Sequence, residues 1–167
     1  GEIEYYMEEE NYVYLSALIS HPEFNYLEKL QMECHKKGSS CSYIHLATKA
    51  NSTLFIRMWI KQGYPINIID YRGWTCLHWA VYYNSPHAFI LLIKSGISLD
   101  IKIPYTLKRK NKKLLGMTAI DMAMHLKRKK ILQIYEKYKN SELYCILPIY
   151  ISDNNSLDNA NANANAN

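Results

Sequence analysis

Apolar residues recur at helical spacing along most of the chain. Between Tyr12 and Cys34 they predict two short helices separated by His21-Pro22. Near the other end, Ile131, Ile134, Tyr135 and Tyr138 follow the i, i+3, i+4, i+7 pattern, with polar residues on the opposite face. This last pattern predicts a closing helix. Residues 1–11 carry five glutamates and are predicted to be a solvated acidic lead-in.

The middle of the chain contains a repeated six-residue motif. It is clearest in Thr75-Cys-Leu-His-Trp-Ala80, and 33 residues earlier Ser42-Tyr-Ile-His-Leu-Ala47 has the same form. The same step of 33 residues separates Gly96 from Gly63. A third copy, Thr118-Ala-Ile-Asp-Met-Ala123, lies 43 residues after the second, so ten residues are inserted before it. Several landmarks at one spacing indicate an internal structural repeat.

Each landmark has a physical reason. The hydroxyl of Thr75 can accept hydrogen bonds from the free N–H groups of the following helix. Gly63 and Gly96 follow apolar runs, where a left-handed residue ends a helix and only glycine adopts that conformation cheaply. Asn84-Ser-Pro86 separates two helices, because proline is tolerated in a first helical turn. The unit is therefore predicted to be a helix, a tight turn, a second helix and an extended finger.

The motif resembles the T-P-L-H-x-A signature of ankyrin repeats, with Cys76 in the place of the proline. The resemblance implies an all-α ankyrin-repeat solenoid with helical caps at both ends. It predicts a degenerate N-terminal repeat or cap at residues 12–38. Three repeats follow at about 40–72, 73–105 and 116–145, with a basic finger insertion at 103–115. Residues 152–167 are a low-complexity Asn/Ala tail.

Three segments also resemble the N-terminal ankyrin domain of the ankyrin-containing DHHC palmitoyltransferases. They are Cys41–Ala47, Gly73–Ala80 and Gly116–Ala123. In that family the ankyrin module recruits substrates, and a separate membrane domain transfers the acyl chain. The resemblance thus implies a non-catalytic recruiting module whose parent protein is an S-acyltransferase. The alternative is a freestanding cytosolic or nuclear ankyrin scaffold with no enzyme attached.

The residue between His and Ala of each motif is predicted to line a concave groove that holds an extended peptide, with Trp79 as its main anchor. The alternative is that Trp79 or Tyr82 packs between repeats as core, while Trp59 and Trp74 are expected to be structural. The predicted groove residues are Leu46, Tyr71, Arg72, Trp74, Trp79, Tyr82, Tyr83, Met122 and His125.

Histidines near cysteines suggest a metal site, but His45 and His78 both occupy the structural position of the motif. Neither has a second ligand at the spacing of a zinc site, so we expect no metal and no cofactor. Asp121, in place of the third histidine, is expected to bond the same backbone. No catalytic Ser–His–Asp or Cys–His arrangement is indicated.

Charge is divided unevenly along the chain. Residues 102–139 contain 12 basic and 2 acidic residues, although the whole chain has a net charge of only +5. Three interpretations are open: a solvated face, contact with anionic lipid headgroups, and nuclear targeting or nucleic-acid binding, the last disfavoured because aromatic residues are not interleaved. The predicted basic face comprises Lys108, Arg109, Lys110, Lys112, Lys113, Lys127, Arg128, Lys129 and Lys130.

The 167 residues suffice for one domain, and about half of them are apolar. Four scattered cysteines without CxxC pairs favour reduced thiols on the cytosolic side. No apolar run reaches the ~20 residues that a membrane span requires. Membrane attachment, at the Golgi or another endomembrane, would come from the multi-pass parent that the palmitoyltransferase resemblance implies. The expected partner is a protein or extended peptide, with no small-molecule substrate.

Overall fold

The computed structural model describes residues 2–31, 40–105 and 112–140. It divides the chain into two compact units, Gly1–Leu132 and Gln133–Asn167. Residues 133–140 are the described part of the second unit, and they contain the end of the last helix.

Helices occur in pairs, each made of a seven-residue helix and a longer one that begins after three linking residues. The pairs are α1 (Glu2–Glu8) and α2 (Tyr12–Ser20), α3 (Tyr43–Lys49) and α4 (Thr53–Lys61), α5 (Cys76–Tyr82) and α6 (Pro86–Lys94), and α7 (Ala119–His125) and α8 (Lys129–Lys139). A short 3₁₀ turn spans Lys112–Leu114. Strand β1 (Leu30–Gln31) pairs antiparallel with β2 (Ser40–Cys41), so that Leu30 faces Cys41.

All four pairs use the same turn. The second linking residue has a positive φ between 47° and 55° in every pair, at Glu10, Asn51, Asn84 and Lys127. The predicted Thr75 cap is confirmed, because its side chain accepts from the His78 amide. Ser42 and Thr118 form the same capping box. Gly63 and Gly96 have φ of 73° and 81°, as the helix-stop prediction requires.

Stacking of successive pairs builds the core. Helix α1 packs on α3, α3 on α5 and α5 on α7, while α2 packs on α4 and α4 on α6. Met7, Thr48 and Val81 occupy equivalent positions in the first three pairs, and all are completely buried. Bonds between turns add to this packing: Glu10 Oε1 accepts from Thr53 Oγ1 and from the Leu54 amide, each at 3.0 Å.

The N-terminal part differs from the sequence prediction. The acidic lead-in is the first helix of a pair, because α1 buries Met7 and contacts α3, so the first repeat begins near Glu2 rather than Tyr12. The second predicted helix, around Phe24–Leu30, is a run of turns leading into β1. Phe24 serves tertiary packing instead, since its ring lies 5.1 Å from that of Tyr43 and 5.7 Å from that of Tyr64, whereas Leu27 is 58% exposed. The Asn/Ala tail and the middle of the basic insertion lie outside the described residues.

Candidate protein-interaction surface

A buried carboxylate organises the finger that joins α4 to α5. Oδ1 of Asp70 accepts from the backbone amides of Arg72 and Trp74, at 2.7 and 2.9 Å. Oδ2 accepts from Arg72 Nε and from Trp79 Nε1, at 2.9 and 3.0 Å. The Asp70 side chain has no exposed surface, so four donors replace the water it loses. The finger is thereby fixed to α5.

Arg72 lies among aromatic rings. Its guanidinium carbon is 3.6 Å from the ring centroid of Trp74 and between 5.1 and 5.9 Å from those of Trp79, Tyr71 and Tyr82. These distances are in the range of cation–π attraction. Within the described part of the chain, Arg72 Nη2 is a buried side-chain nitrogen without a hydrogen-bond acceptor.

The predicted anchor stripe is buried, and the groove assignment is wrong for these three residues. Leu46, Trp79 and Met122 are 8%, 0% and 0% exposed. The physical reason is clearest for Trp79, whose side chain points toward the preceding pair. The Trp79 ring accordingly lies 5.3 Å from that of His45, one repeat earlier. Of the two interpretations, the core role therefore holds for Trp79.

Trp74 is also buried, as its expected structural role requires, and the other predicted groove residues lie nearer the surface. Tyr82 is 41% exposed, Tyr71, Arg72 and Tyr83 are partly buried, and Trp74 is 5% exposed. The Tyr82 ring lies 5.2 Å from that of Trp74 and 5.1 Å from that of Tyr83. We call Tyr71, Arg72, Trp74, Tyr82 and Tyr83 the ring cluster. His125, which is exposed, occupies in α7 the position that Tyr82 occupies in α5.

The two motif histidines connect consecutive repeats. His45 Nδ1 accepts from the Ser42 amide at 3.1 Å, so Nε2 carries the proton and donates to the carbonyl of Trp74, also at 3.1 Å. His78 makes the equivalent bonds to Thr75 and to the Met117 carbonyl. Burial lowers the pKa of each histidine to about 4. Both are neutral structural residues at physiological pH.

Asp121 bonds the same backbone, as predicted. Its Oδ2 accepts from the Thr118 amide at 3.0 Å, and this bond, with that of the Thr118 hydroxyl, lowers the pKa of the carboxyl group. The shorter carboxylate reproduces the role of the histidine Nδ1. Unlike His45 and His78, Asp121 has no atom equivalent to Nε2 that could bond a following finger.

The predicted basic face is only partly described. Lys112, Lys113, Lys127, Lys129 and Lys130 are exposed. Lys108, Arg109 and Lys110 lie outside the described residues. Arg128 does not belong to a solvated face: its Nε donates to the Val81 carbonyl at 3.0 Å and its Nη2 to that of Tyr82 at 2.6 Å. It satisfies carbonyls at the end of α5, a common place for a basic residue.

The described ranges contain no cluster of metal ligands, and the two described cysteines are buried. No three His, Cys, Asp or Glu side chains there come together as metal ligands would. Cys41 and Cys76 are buried free thiols, and burial raises the pKa of each to about 12. Across residues 2–31, 40–105 and 112–140, no helix is long and apolar enough to cross a membrane.

Paired helices, capping boxes and histidines bonded to the next finger define an ankyrin-repeat protein. The family described as "Ankyrin repeats (3 copies)" matches residues 15–103 and, in an overlapping alignment, 44–142, and the chain belongs to this family. Ankyrin repeats are protein-interaction modules, which confirms the general class of function predicted from the motif.

Three relatives show how widely such repeats are used. Ankyrin repeat and SOCS box protein 3 of Bos taurus is 30% identical over 97 residues, which are 58% of this chain and 17% of that protein. Calmodulin-binding transcription activator CBT of Oryza sativa subsp. japonica is 28% identical over 102 residues (59% and 11%). Protein phosphatase 1 regulatory subunit 12A of Mus musculus is 31% identical over 89 residues (53% and 8%). The chain thus spans less than a fifth of each relative.

Sequence reasoning missed the role of Asp70. The available signal was its position: Asp70 lies five residues before Thr75, separated by Gly73, where a short acidic side chain can accept from the turn amides. Its contacts with Arg72 Nε and Trp79 Nε1 depend on tertiary packing and had no sequence signal.

Proposed function

We propose that this chain is a non-catalytic recruiting module that holds an extended segment of a partner protein against the ring cluster. The observation that carries the proposal is the exposed Tyr82 ring, 41% accessible, next to Trp74, Tyr83 and Arg72. Trp, Tyr and Arg are enriched among the residues that dominate the binding energy of protein interfaces. Tyrosine and tryptophan provide large contact area with few rotatable bonds. Trp79 supports this surface from below instead of contacting the partner.

The chemistry of Arg72 indicates what the segment should carry. The Nη2 nitrogen lacks an acceptor in the described residues, and aromatic rings enclose the guanidinium. A carbonyl or carboxylate oxygen of the partner would satisfy this donor when the Tyr82 ring turns outward. The proposed ligand is therefore an extended peptide with an apolar side chain beside an oxygen acceptor.

Selection of peptides from a random phage-displayed library, with the whole chain as bait, tests the proposal. We expect the enriched peptides to lose most of their affinity for a Tyr82→Ala variant, measured by fluorescence anisotropy. Leu27→Ala is the matched control, because Leu27 is an exposed apolar residue, 58% accessible, outside the cluster. Peptides that bind Tyr82→Ala as tightly as the unaltered chain would contradict the proposal.

A narrower proposal is that the recruited partner is a substrate of a protein S-palmitoyltransferase. Its support is the resemblance of segments 41–47, 73–80 and 116–123 to the ankyrin domains of that family. The competing proposal is a freestanding cytosolic or nuclear scaffold. The sequence of the full gene distinguishes them, because the first requires transmembrane helices and a Cys-rich Asp-His-His-Cys segment in the same polypeptide.

Membrane contact through the basic face belongs with the narrower proposal. Exposed Lys112, Lys113, Lys127, Lys129 and Lys130 support it, at about 1 kcal/mol per residue close to an anionic surface. Cosedimentation with phosphatidylserine vesicles at low salt is the expected result. Equal recovery with neutral phosphatidylcholine vesicles would contradict it.

A further inference from the structure

The base of the basic insertion lies beside the ring cluster. A Cβ on Gly73, which lies in the finger of the cluster, would be only 2.4 Å from Cδ of Pro104, so this proline packs against that finger. The Ile103 amide donates to the Met117 carbonyl at 3.0 Å, and the Gly116 amide donates to the Ile103 carbonyl at 2.7 Å. These two bonds join the ends of the insertion at its base.

The described ends of the insertion carry positive charge. Residues 103–105 and 112–115 contain Lys112 and Lys113 and no acidic residue, and both lysines are exposed. Neither lysine forms an ion pair with another residue of the described chain. Lys113 precedes Gly116 by three residues, which span at most about 11 Å. An extended peptide advances about 3.3 Å per residue, so about two to six further residues bring it from the cluster to these lysines.

The side of the ring cluster toward the earlier repeats differs in charge. The Lys49 ammonium nitrogen lies 5.6 Å from the ring centroid of Tyr83, but it is paired with Glu4 Oε1 at 2.9 Å. Glu8, which occupies in α1 the position that Tyr82 occupies in α5, is exposed. An acidic residue of a bound peptide would approach negative charge on this side. A preference for acidic residues is therefore expected on the insertion side alone.

Arg72 contributes a hydrogen-bond donor to this surface rather than a free charge. Its Nε donates to Asp70 Oδ2 at 2.9 Å, which balances the guanidinium charge, while Nη2 is buried without an acceptor among the described residues. A neutral carbonyl oxygen would satisfy Nη2 as well as a carboxylate would. The choice between the two depends on Lys112 and Lys113, because these cations attract a carboxylate more strongly than a neutral carbonyl.

We infer that the segment held by the ring cluster is acidic on one side of its apolar residue, with Asp or Glu carboxylates paired to Lys112 and Lys113. The inference rests on the proposed function, because the apolar residue has to lie against Tyr82. Charge complementarity of this kind speeds association and fixes the direction in which the segment lies. The ligand class is an acidic extended peptide.

Peptides selected from the random library on the whole chain give the first test. We expect Asp and Glu to be enriched on one side of the apolar residue. Replacing these acidic residues by Asn and Gln in a selected synthetic peptide should weaken binding about tenfold in low-salt fluorescence anisotropy, because each exposed ion pair contributes up to about fivefold. Selected peptides without the acidic preference, or with affinity that survives the replacement, would overturn the inference.

Charge reversal on the chain makes the test specific to the two lysines. The double variant Lys112→Glu, Lys113→Glu should bind the acidic peptide at least tenfold more weakly, and Lys112→Gln, Lys113→Gln should lose less because it removes the charge without reversing it. Lys129→Glu, Lys130→Glu is the matched control, with the same change in net charge at exposed positions of α8. Thermal melts establish that all three variants fold. Equal losses in the reversed variant and the control would assign the effect to net charge and contradict the inference.

Tyr82→Ala separates failure of this inference from failure of the proposed function. If Tyr82→Ala abolishes peptide binding while Lys112→Glu, Lys113→Glu binds normally, the recruiting role stands and the inference fails. If acidic peptides bind Tyr82→Ala as tightly as the unaltered chain, the proposed function fails, and the inference fails with it. Binding to phosphatidylserine vesicles that is lost in the reversed variant, without any acidic preference among the peptides, would assign the lysines to a lipid surface instead.

Discussion

Trp79 and Asp70 are joined by a hydrogen bond inside the protein, where indole Nε1 donates to the carboxylate Oδ2 over 3.0 Å. The bond fixes the finger before α5 to the helix itself, and the Trp79 ring completes the contact with His45 of the preceding repeat. The central tryptophan of the motif therefore stabilises the stack. Tyr82, in the ring cluster, is 41% exposed.

Trp79→Ala should lower the free energy of unfolding by about 3–5 kcal/mol, because it opens a large cavity in the core. It also removes one donor from a buried carboxylate. Urea denaturation followed by circular dichroism measures the change. Tyr82→Ala is the comparison, with an expected loss of about 1 kcal/mol or less at a partly exposed site. Equal losses for the two variants would contradict the assignment of Trp79 to the core.

Asp70→Asn should lower the free energy of unfolding by about 3 kcal/mol, because it leaves the Arg72 guanidinium buried without a counter-charge. The amide also presents an NH₂ group to donors that need an acceptor. Denaturant titration is again the measurement. Asp100→Asn, at an exposed position, should change stability by less than about 0.5 kcal/mol. A stability loss no larger than that control would mean that Asp70 does not organise the finger.

Stability should fall as the pH is lowered from about 6.5 toward 4, since the unfolded chain binds protons at His45 and His78 that the folded chain excludes. The slope is at most about 1.4 kcal/mol per pH unit for each histidine. Melting temperatures should be measured between about pH 5 and 7.5, a range in which most carboxyl groups stay ionised.

A His45→Asn, His78→Asn variant serves as the control for this pH dependence. The asparagine side-chain oxygen can accept from the cap amides, as Asp121 does, but the amide does not titrate. Its stability should be flatter across the same pH window, even where its absolute value is lower. An unchanged slope in the double variant would assign the pH dependence to other groups.

Gly73→Ala should cost more stability than Gly96→Ala. Both positions have positive φ, which costs a non-glycine residue of order 1 kcal/mol. A Cβ on Gly73 would also meet the ring of Pro104, with 2.4 Å to Cδ, whereas a Cβ on Gly96 would meet nothing within 4 Å. The additional overlap should raise the loss by about 1–3 kcal/mol. Equal thermal shifts would show that the Pro104 loop moves aside freely.

Local sequence determined the repeats. The hydroxyl caps and the helix-ending glycines each express an interaction between residues close in the chain, and their recurrence at a 33-residue step indicated the ankyrin fold. Asp121 could likewise be assigned, because its bond to Thr118 spans three residues. The apolar spacing of Phe24–Leu30 was misleading, since a turn segment packed by aromatic rings can imitate a helical pattern.

Only the tertiary structure decided which side of each short helix is covered. Sequence periodicity places Trp79 on a face of α5, but stacking against the preceding pair determines that this face is buried, while Tyr82 is exposed. The same stacking turns Asp70 and Arg72 inward. These outcomes depend on contacts between residues many positions apart, which have no local signature in the sequence.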